Sequence, residues 1–185
     1  VGISGTDIAQ LGADTSIRIA STPINSGVFA FFKTTAPLLK DVKVRQALAQ
    51  AVDRQAVLEI FGSRYAPLKT PLLPSQLGYD ARYAQRTDIT NAKKLLNQAG
   101  WKERPNQTGR NKGQEQLKLS LVTVNDDEYQ RMAEQLEQQW SAVGVTIETS
   151  FLTPEEMQRT VLNADAYDIL LYGISLGHDP DVYAY

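Results

Sequence analysis

The sequence contains no cysteine and a single histidine, His178, among its 185 residues. Disulfide bonds, thiolate metal sites and cysteine nucleophiles are therefore excluded, and no pair of histidines can bind a metal ion. Glycine-rich nucleotide-binding motifs are also missing, so we expect no cofactor. The 19 basic and 21 acidic side chains nearly balance and form no run of one sign, which argues against nucleic acid as a partner.

Long hydrophobic runs are absent as well, since no apolar stretch approaches the ~20 residues needed to span a bilayer. The length suits one domain with a sizeable core. In the first half, strands are predicted over 16–22 and 27–34. A helix is predicted from the N-cap Asp41 to Gly62, followed by an ordered, proline-bearing loop over 62–86.

The second half alternates helices and strands. A helix capped by Thr90 is predicted to end at Gly100, and the polar residues 102–116 are predicted to form a flexible excursion. The remaining predicted elements are, in order, strand 117–124, helix 126–144, strand 145–152, a helix from a capping box at Thr153 to about Ala164, and strand 167–173. This order predicts a single α/β domain over 1–185, with a sheet covered by helices.

The last predicted strand leads into Gly-Ile-Ser-Leu-Gly, residues 173–177. A strand followed by G-x-S-x-G is typical of a hydrolase nucleophile elbow, which would make Ser175 a nucleophile. The only histidine, His178, lies three residues away on the same turn, so it is poorly placed as a base. Pro180 also disfavours the helix that an elbow requires. The hydrolase is therefore the weaker interpretation.

The other interpretation is a binding turn. Gly173 and Gly177 would permit a tight turn at the strand end, and ligands of open α/β sheets bind beyond such ends. The predicted ligand-binding residues are Gly173, Ile174, Ser175, Leu176, Gly177, His178 and Asp179. His178 is either a solvent-facing turn residue or a pH-sensitive ligand contact, and Asp179 either caps the turn or contacts the ligand. No catalytic or metal-binding residue is predicted.

Several segments resemble one known family, in the same order. DVKVRQALAQAVDR (41–54) is similar to the family motif D-x-[KR]-V-R-Q-A-[LI]-x-x-A-[VI]-D-R. AKKLLNQAGW (92–101) resembles A-K-x-L-L-x-x-A-G-[WY], and EQLEQQWSAVGVTIE (134–148) resembles a third motif. YDILLYG, followed by a D-P-D turn, completes the series. The family is that of the family 5 extracellular solute-binding proteins, the peptide- and nickel-binding receptors of ABC importers.

The resemblance implies a periplasmic-binding-protein-like (type II) lobe with a mixed sheet, the later lobe of a two-lobed receptor that closes by hinge motion. The first lobe would lie outside this sequence, so we expect the isolated lobe to bind ligand poorly. The implied partners are an oligopeptide or other small ligand, the missing lobe and an ABC permease. The implied location is extracytoplasmic, either periplasmic or anchored on the bacterial surface as a lipoprotein.

The turn departs from the pattern of peptide-binding relatives, G-W-x-x-D. Ile174 replaces the aromatic residue, and the position of the acid falls on Leu176 or Gly177. Capture of a free α-ammonium group is therefore in question, and Asp179, Asp181 or the missing lobe would have to supply the carboxylate. Alternatives to an oligopeptide are a metal chelate, an opine or a sugar, and a signalling or adhesion module could keep the same fold.

Other conspicuous residues are expected to be structural. Arg45, Asp53 and Arg54 belong to the family motif and are expected to form ion pairs or helix caps. Trp101 and Trp140 are expected in or near the core.

Overall fold

The computed structural model describes residues 11, 16, 26–59, 61, 65–74, 76–105 and 107–175. The strands are β1 (Ser26–Phe32), β2 (Lys102–Glu103), β3 (Arg110–Lys112), β4 (Glu115–Gln116), β5 (Lys118–Val124), β6 (Thr146–Leu152) and β7 (Ile169–Ser175). The α-helices are α1 (Val42–Ala51), α2 (Arg54–Glu59), α3 (Ile89–Gln98), α4 (Asp127–Ser141) and α5 (Pro154–Met157), which continues as a π-helical turn, Gln158–Asn163. Short 3-10 turns lie at Pro37–Leu39 and Ala81–Tyr83. The strand predicted over 16–22 lies outside the described residues apart from Ser16.

The main sheet has four strands in the order β1-β7-β5-β6. β5 is parallel to both β6 and β7, whereas β1 is antiparallel to β7. The prediction of a mixed sheet in an α/β fold is therefore confirmed. The carboxyl ends of β5, β6 and β7 meet along one side of the sheet, which we call the carboxyl edge, and β1 begins there.

One face of α4 forms part of the core. Its Ala133, Leu136 and Trp140 are buried, and the Trp140 indole donates a hydrogen bond of 2.9 Å to the Leu48 carbonyl of α1. Trp101 is buried too, as expected. Burying a side chain as large as that of Leu136 contributes about 1.5–3 kcal/mol. α4 therefore fixes the sheet against α1 and sets where its own first turn meets the carboxyl edge.

The prediction of one continuous helix after Asp41 is wrong, because α1 ends at Ala51 and α2 begins at Arg54. Val52 is extended, with φ −91° and ψ 118°. The backbone N–H of Asp53 donates to Gln139 Oε1 at 2.6 Å, and Asp53 Oδ1 caps α2. A side chain 86 residues away thus satisfies the backbone in the break.

The predicted cap at Thr90 is also wrong. Asp88 Oδ1 accepts a hydrogen bond of 2.8 Å from the Asn91 N–H, so α3 begins at Ile89. Its end at Gly100, which has φ +91°, is as predicted.

The segment 102–116, for which we expected a flexible excursion, contains a small antiparallel sheet in the order β2-β3-β4. The sheet is held to the rest of the domain by Arg110, which is 2% exposed. The Arg110 guanidinium donates to the Val143 and Trp101 carbonyls, to Asn97 Oδ1 and to Glu103 Oε1, at 2.6 to 3.0 Å. The polar composition predicted an irregular segment. The order depends instead on one buried arginine with its hydrogen bonds satisfied, and a single residue produces no periodic pattern in the sequence.

Among the described residues, no helix has both the length and the apolar character needed to cross a membrane.

Candidate functional site

The predicted binding stretch lies at the end of β7, on the carboxyl edge. Gly173, Ile174 and Ser175 are the last residues of this strand. The other predicted site residues lie outside the described part of the chain, and these are Leu176, Gly177, His178 and Asp179.

The tight turn predicted at Gly173 is wrong, because the strand continues to Ser175. Gly173 pairs with Val28 of β1, and Ser175 pairs with Ser26, in regular antiparallel register. A nucleophile elbow places its serine on a sharp turn between strand and helix, but Ser175 is extended and paired. The first glycine of the motif therefore serves the strand rather than a turn.

β7 extends past its parallel neighbour at the carboxyl edge. Within the described part of the chain, the pairing of β5 with β7 ends at Thr123 and Leu171. The buried Thr123 hydroxyl donates 2.8 Å to the Leu171 carbonyl. Residues 172–175 pair with β1 on one side, and on the other side β5 forms no ladder with them. β7 is a central strand of the sheet, but residues 172–175 form a strand edge on the side of β5.

Tyr129, in the first turn of α4, contacts this overhanging end. Its hydroxyl lies against Gly173, at the place where a Cβ atom of residue 173 would be. Burial raises the pKa of Tyr129, and the nearby Tyr172 phenol adds to the rise, whereas a backbone hydrogen bond from Gly173 acts in the opposite direction. The phenol therefore stays neutral at ordinary pH and can both donate and accept hydrogen bonds.

The loop 65–74 lies over the same edge. Leu68 contacts β1 at Gly27, where a Cβ atom would be 2.5 Å from Leu68 Cδ1. The Tyr65 hydroxyl donates 2.8 Å to Glu128 Oε2, which joins the loop to the first turn of α4. The loop and the helix therefore meet beside the end of β7.

The ends of β5 and β6 complete a polar rim. The Asn125 N–H donates 2.9 Å to the Leu152 carbonyl, and Gln130 Nε2 donates 2.7 Å to Asn125 Oδ1. The capping box predicted at Thr153 is confirmed, since Thr153 and Glu156 exchange hydrogen bonds of 2.8 and 3.3 Å. β5 and β6 are thus each followed by a hydrogen-bonded turn or cap at this edge.

The sequence did not single out Tyr129, Leu68 or Tyr65 as site residues. Tyr129 fits the apolar period of the helix predicted over 126–144, which indicates a core residue, and Leu68 and Tyr65 lie in a loop without a motif. The glycine at position 173 was the one sequence feature that could have indicated a close contact there. The residue that makes the contact, Tyr129, is 44 positions away in the chain.

Arg45 and Asp53 cap helix ends, as expected, whereas Arg54 binds a neutral glutamine rather than the expected carboxylate or cap. Arg45 Nη1 donates to the Leu39 and Lys40 carbonyls at 2.6 and 2.9 Å. Asp53 caps α2, and Arg54 Nη2 donates 2.6 Å to Gln85 Oε1. Burial lowers the pKa of Arg54.

A groove of about 820 Å³ follows the outer side of β1, along Phe29–Phe32 rather than at the carboxyl edge. Its other walls include Arg45, Tyr83 and Arg86. The described residues contain no group of three or more His, Asp or Glu side chains that could hold a metal ion.

The family model of the bacterial extracellular solute-binding proteins, family 5 Middle, matches residues 1–185. The chain belongs to this family. Among its relatives in the family, the dipeptide-binding protein of Escherichia coli K12 is 32% identical over 145 residues, which cover 75% of this chain and 25% of that protein. Heme-binding protein A of Haemophilus influenzae is 30% identical over 144 residues, with 75% and 24% covered.

The solved structures similar to this solute-binding family member confirm the type II periplasmic-binding-protein fold. The oligopeptide-binding protein AppA of Bacillus subtilis, in complex with a nonapeptide, superimposes with a TM-score of 0.83 at 22% identity, over 96% of this chain and 36% of AppA. Matched residues make up between 19% and 25% of the curated relatives.

Proposed function

We propose that residues 1–185 form one lobe of an extracytoplasmic receptor that binds oligopeptides and delivers them to an ABC permease. The observation that supports this most directly is the overhang of β7, residues 172–175, which β5 does not pair. An extended peptide can add to such an edge through main-chain hydrogen bonds, with little dependence on its side chains. One relative is named for dipeptides and another for oligopeptides, which is consistent with a strand-end site that accepts peptides of different length.

In this proposal the backbone of Gly173, Ile174 and Ser175 contacts the ligand, together with Leu176, Gly177, His178 and Asp179. A second lobe closes over the ligand by hinge motion and supplies the remaining contacts. The receptor binds its cargo without chemical change, and Ser175 contributes a hydrogen bond rather than a nucleophile.

A non-peptide solute is the second candidate. The turn carries Leu176 or Gly177 where an acid would pair the α-ammonium group of a peptide. One relative is named for heme, which is a metal chelate. Both observations favour a ligand without a free amine.

The test is native mass spectrometry of small molecules retained by the complete protein that contains this sequence, purified without denaturation. We expect a mixture of short peptides, released when the protein is unfolded. Retention of a porphyrin, an opine or a sugar instead of peptides would contradict the oligopeptide proposal and support the second candidate. The 185-residue chain alone is the comparison sample, and we expect it to retain much less ligand because it offers one side of the site.

The hydrolase alternative has its own test. A fluorophosphonate probe should leave the protein unlabelled. Labelling that disappears in Ser175→Ala would show a reactive serine and overturn the assignment as a receptor without catalysis.

A further inference from the structure

Two glycines, Gly27 and Gly173, lie diagonally across the ladder between the start of β1 and the end of β7. Val28 pairs with Gly173, and Gly27 pairs with Ile174. Because consecutive residues of a strand alternate in direction, Gly173 and Gly27 present their missing side chains to opposite faces of the sheet. On one face the space is filled by the Tyr129 hydroxyl from α4, and on the other by Leu68 from the loop 65–74.

The contact at Gly173 is narrow and specific. A Cβ atom at residue 173 would collide with Tyr129 Oη, yet the next nearest atoms are Tyr129 Cζ at 3.7 Å and the Gly27 carbonyl oxygen at 4.0 Å. Both of these are at ordinary van der Waals distance. A single oxygen atom therefore decides whether residue 173 can carry a side chain.

Tyr129 has little freedom to move away. Its ring packs against the core cluster, and its backbone N–H lies 3.4 Å from Asp126 Oδ1 at the cap of α4. A phenol ring with its base fixed in this way cannot withdraw its hydroxyl without rotating out of the core. A steric overlap between residue 173 and the Tyr129 hydroxyl would therefore displace the strand rather than the tyrosine.

The carboxyl end of β7 is less restrained than Tyr129. Up to Leu171, β7 has ladders on both sides, whereas residues 172–175 have the ladder to β1 alone among the described strands. We propose that Tyr129 is a positioning residue, whose hydroxyl seats the end of β7 and so sets the height at which the backbone of Ile174 and Ser175 meets the ligand. This inference rests on the proposed binding of peptides at the same strand end.

The test is a suppressor experiment with a matched control, in the complete protein. Binding of a fluorescent random tripeptide pool is measured by fluorescence polarisation. Gly173→Ala should weaken binding by about tenfold, the scale of one overpacked contact. Gly173→Ala combined with Tyr129→Phe should recover part of this loss, because the second substitution removes the colliding oxygen and the alanine methyl group occupies its place, while the hydrogen bond between the hydroxyl and the Gly173 backbone stays lost.

Gly27→Ala is the control on the facing strand. Its new Cβ would meet the end of the flexible Leu68 side chain, which can rotate away, so we expect a smaller loss than for Gly173→Ala. Tyr129→Phe should not rescue it, because Tyr129 lies on the other face. Equal rescue of both alanine variants would show a general effect of Tyr129→Phe and overturn the inference.

Amide hydrogen exchange of residues 172–175 separates this inference from the proposed function. Exchange should be faster in Gly173→Ala and return toward the wild-type rate in the double variant, whether or not peptides bind. If the wild type binds no tripeptide but this exchange pattern appears, the ligand class is wrong and the seating by Tyr129 stands. If Gly173→Ala leaves both binding and exchange unchanged, or if Tyr129→Phe fails to restore them, Tyr129 does not position the strand.

Discussion

The two ends of β7 are held in different ways. At its amino end, Asp168 Oδ2 accepts hydrogen bonds from the N–H and the hydroxyl of Ser120, at 2.8 and 3.0 Å, and the Asp168 N–H donates to Ser120 Oγ at 2.9 Å. The Lys33 N–H donates 2.9 Å to the Asp168 carbonyl. At the carboxyl end, residues 172–175 have one neighbouring strand and the contact of Tyr129 with Gly173.

The amino end of β7 is fixed by side-chain hydrogen bonds, whereas its carboxyl end pairs with a neighbouring strand on one side. Reciprocal hydrogen bonds at Asp168 consume the local donors and acceptors and set the register of β7 against β5. At Gly173 the Tyr129 hydroxyl makes a close contact and a hydrogen bond with the backbone, whereas β5 forms no ladder with residues 172–175. The amino end should therefore govern stability, and the carboxyl end should govern affinity.

Asp168→Ala should have the largest effect on stability. It removes a carboxylate that accepts two hydrogen bonds and leaves the half-buried Ser120 N–H without that acceptor. Loss of hydrogen bonds to a charged group costs about 2 kcal/mol of unfolding free energy. The measurement is urea denaturation followed by circular dichroism.

The matched control is Asp165→Asn, three residues earlier on the same side of the sheet. Asp165 pairs with Lys33 at 2.8 Å, but its side chain is 62% exposed, so the loss should be well below that of Asp168→Ala. Asparagine tolerates the positive φ of 50° at this position. Equal costs for the two variants would contradict the idea that Asp168 anchors the strand.

The elements that could be predicted from the sequence are those defined by local patterns. The apolar residues at helical spacing in α4 and the capping box at Thr153 each lie within a few turns of one helix, so helix α4 and the start of α5 follow from spacing alone. The last strand follows from its apolar run in the same way.

The parts that could not be predicted depend on distant partners. The break after Ala51 involves Gln139, the small sheet is anchored by the buried Arg110, and the space beside Gly173 is occupied by the Tyr129 hydroxyl. In each case a side chain from another element replaces an interaction that the local pattern assumes. The strand itself was predicted from the sequence, but its extension to Ser175 follows the antiparallel ladder with β1.

Thr123→Val tests the boundary between the two halves of β7. The Thr123 hydroxyl is buried and donates to Leu171, the last residue of β7 that pairs with β5. Valine keeps the shape and removes the donor, so we expect a loss of about 1 kcal/mol. Thermal denaturation and amide exchange at residues 171–175 are the measurements.

Thr149→Val on β6 is the control, because the Thr149 hydroxyl makes a longer bond of 3.4 Å to the exposed Glu137. It should change stability little. If Thr123→Val leaves exchange at residues 171–175 unchanged, the hydroxyl does not mark the boundary.

The smallest effect concerns alkaline pH. Burial raises the pKa of Tyr129 above its ordinary value of 10.0, with additions from the Tyr172 phenol and from the Asp126 and Glu128 carboxylates. The folded state therefore holds this proton more tightly than the unfolded state, so its contribution is complete below pH 10 and is lost as the pH rises through the folded pKa. Tyr129→Phe should lose less unfolding free energy between about pH 8 and about pH 11 than the wild type does, measured by urea denaturation at both values. The difference should be smaller than for the preceding variants, because the phenol is only half-buried.

Tyr83→Phe is the control, because Tyr83 is 73% exposed, and it should keep the wild-type change of unfolding free energy with pH. The same change in Tyr129→Phe as in the wild type would show that the Gly173 contact does not depend on the protonated phenol.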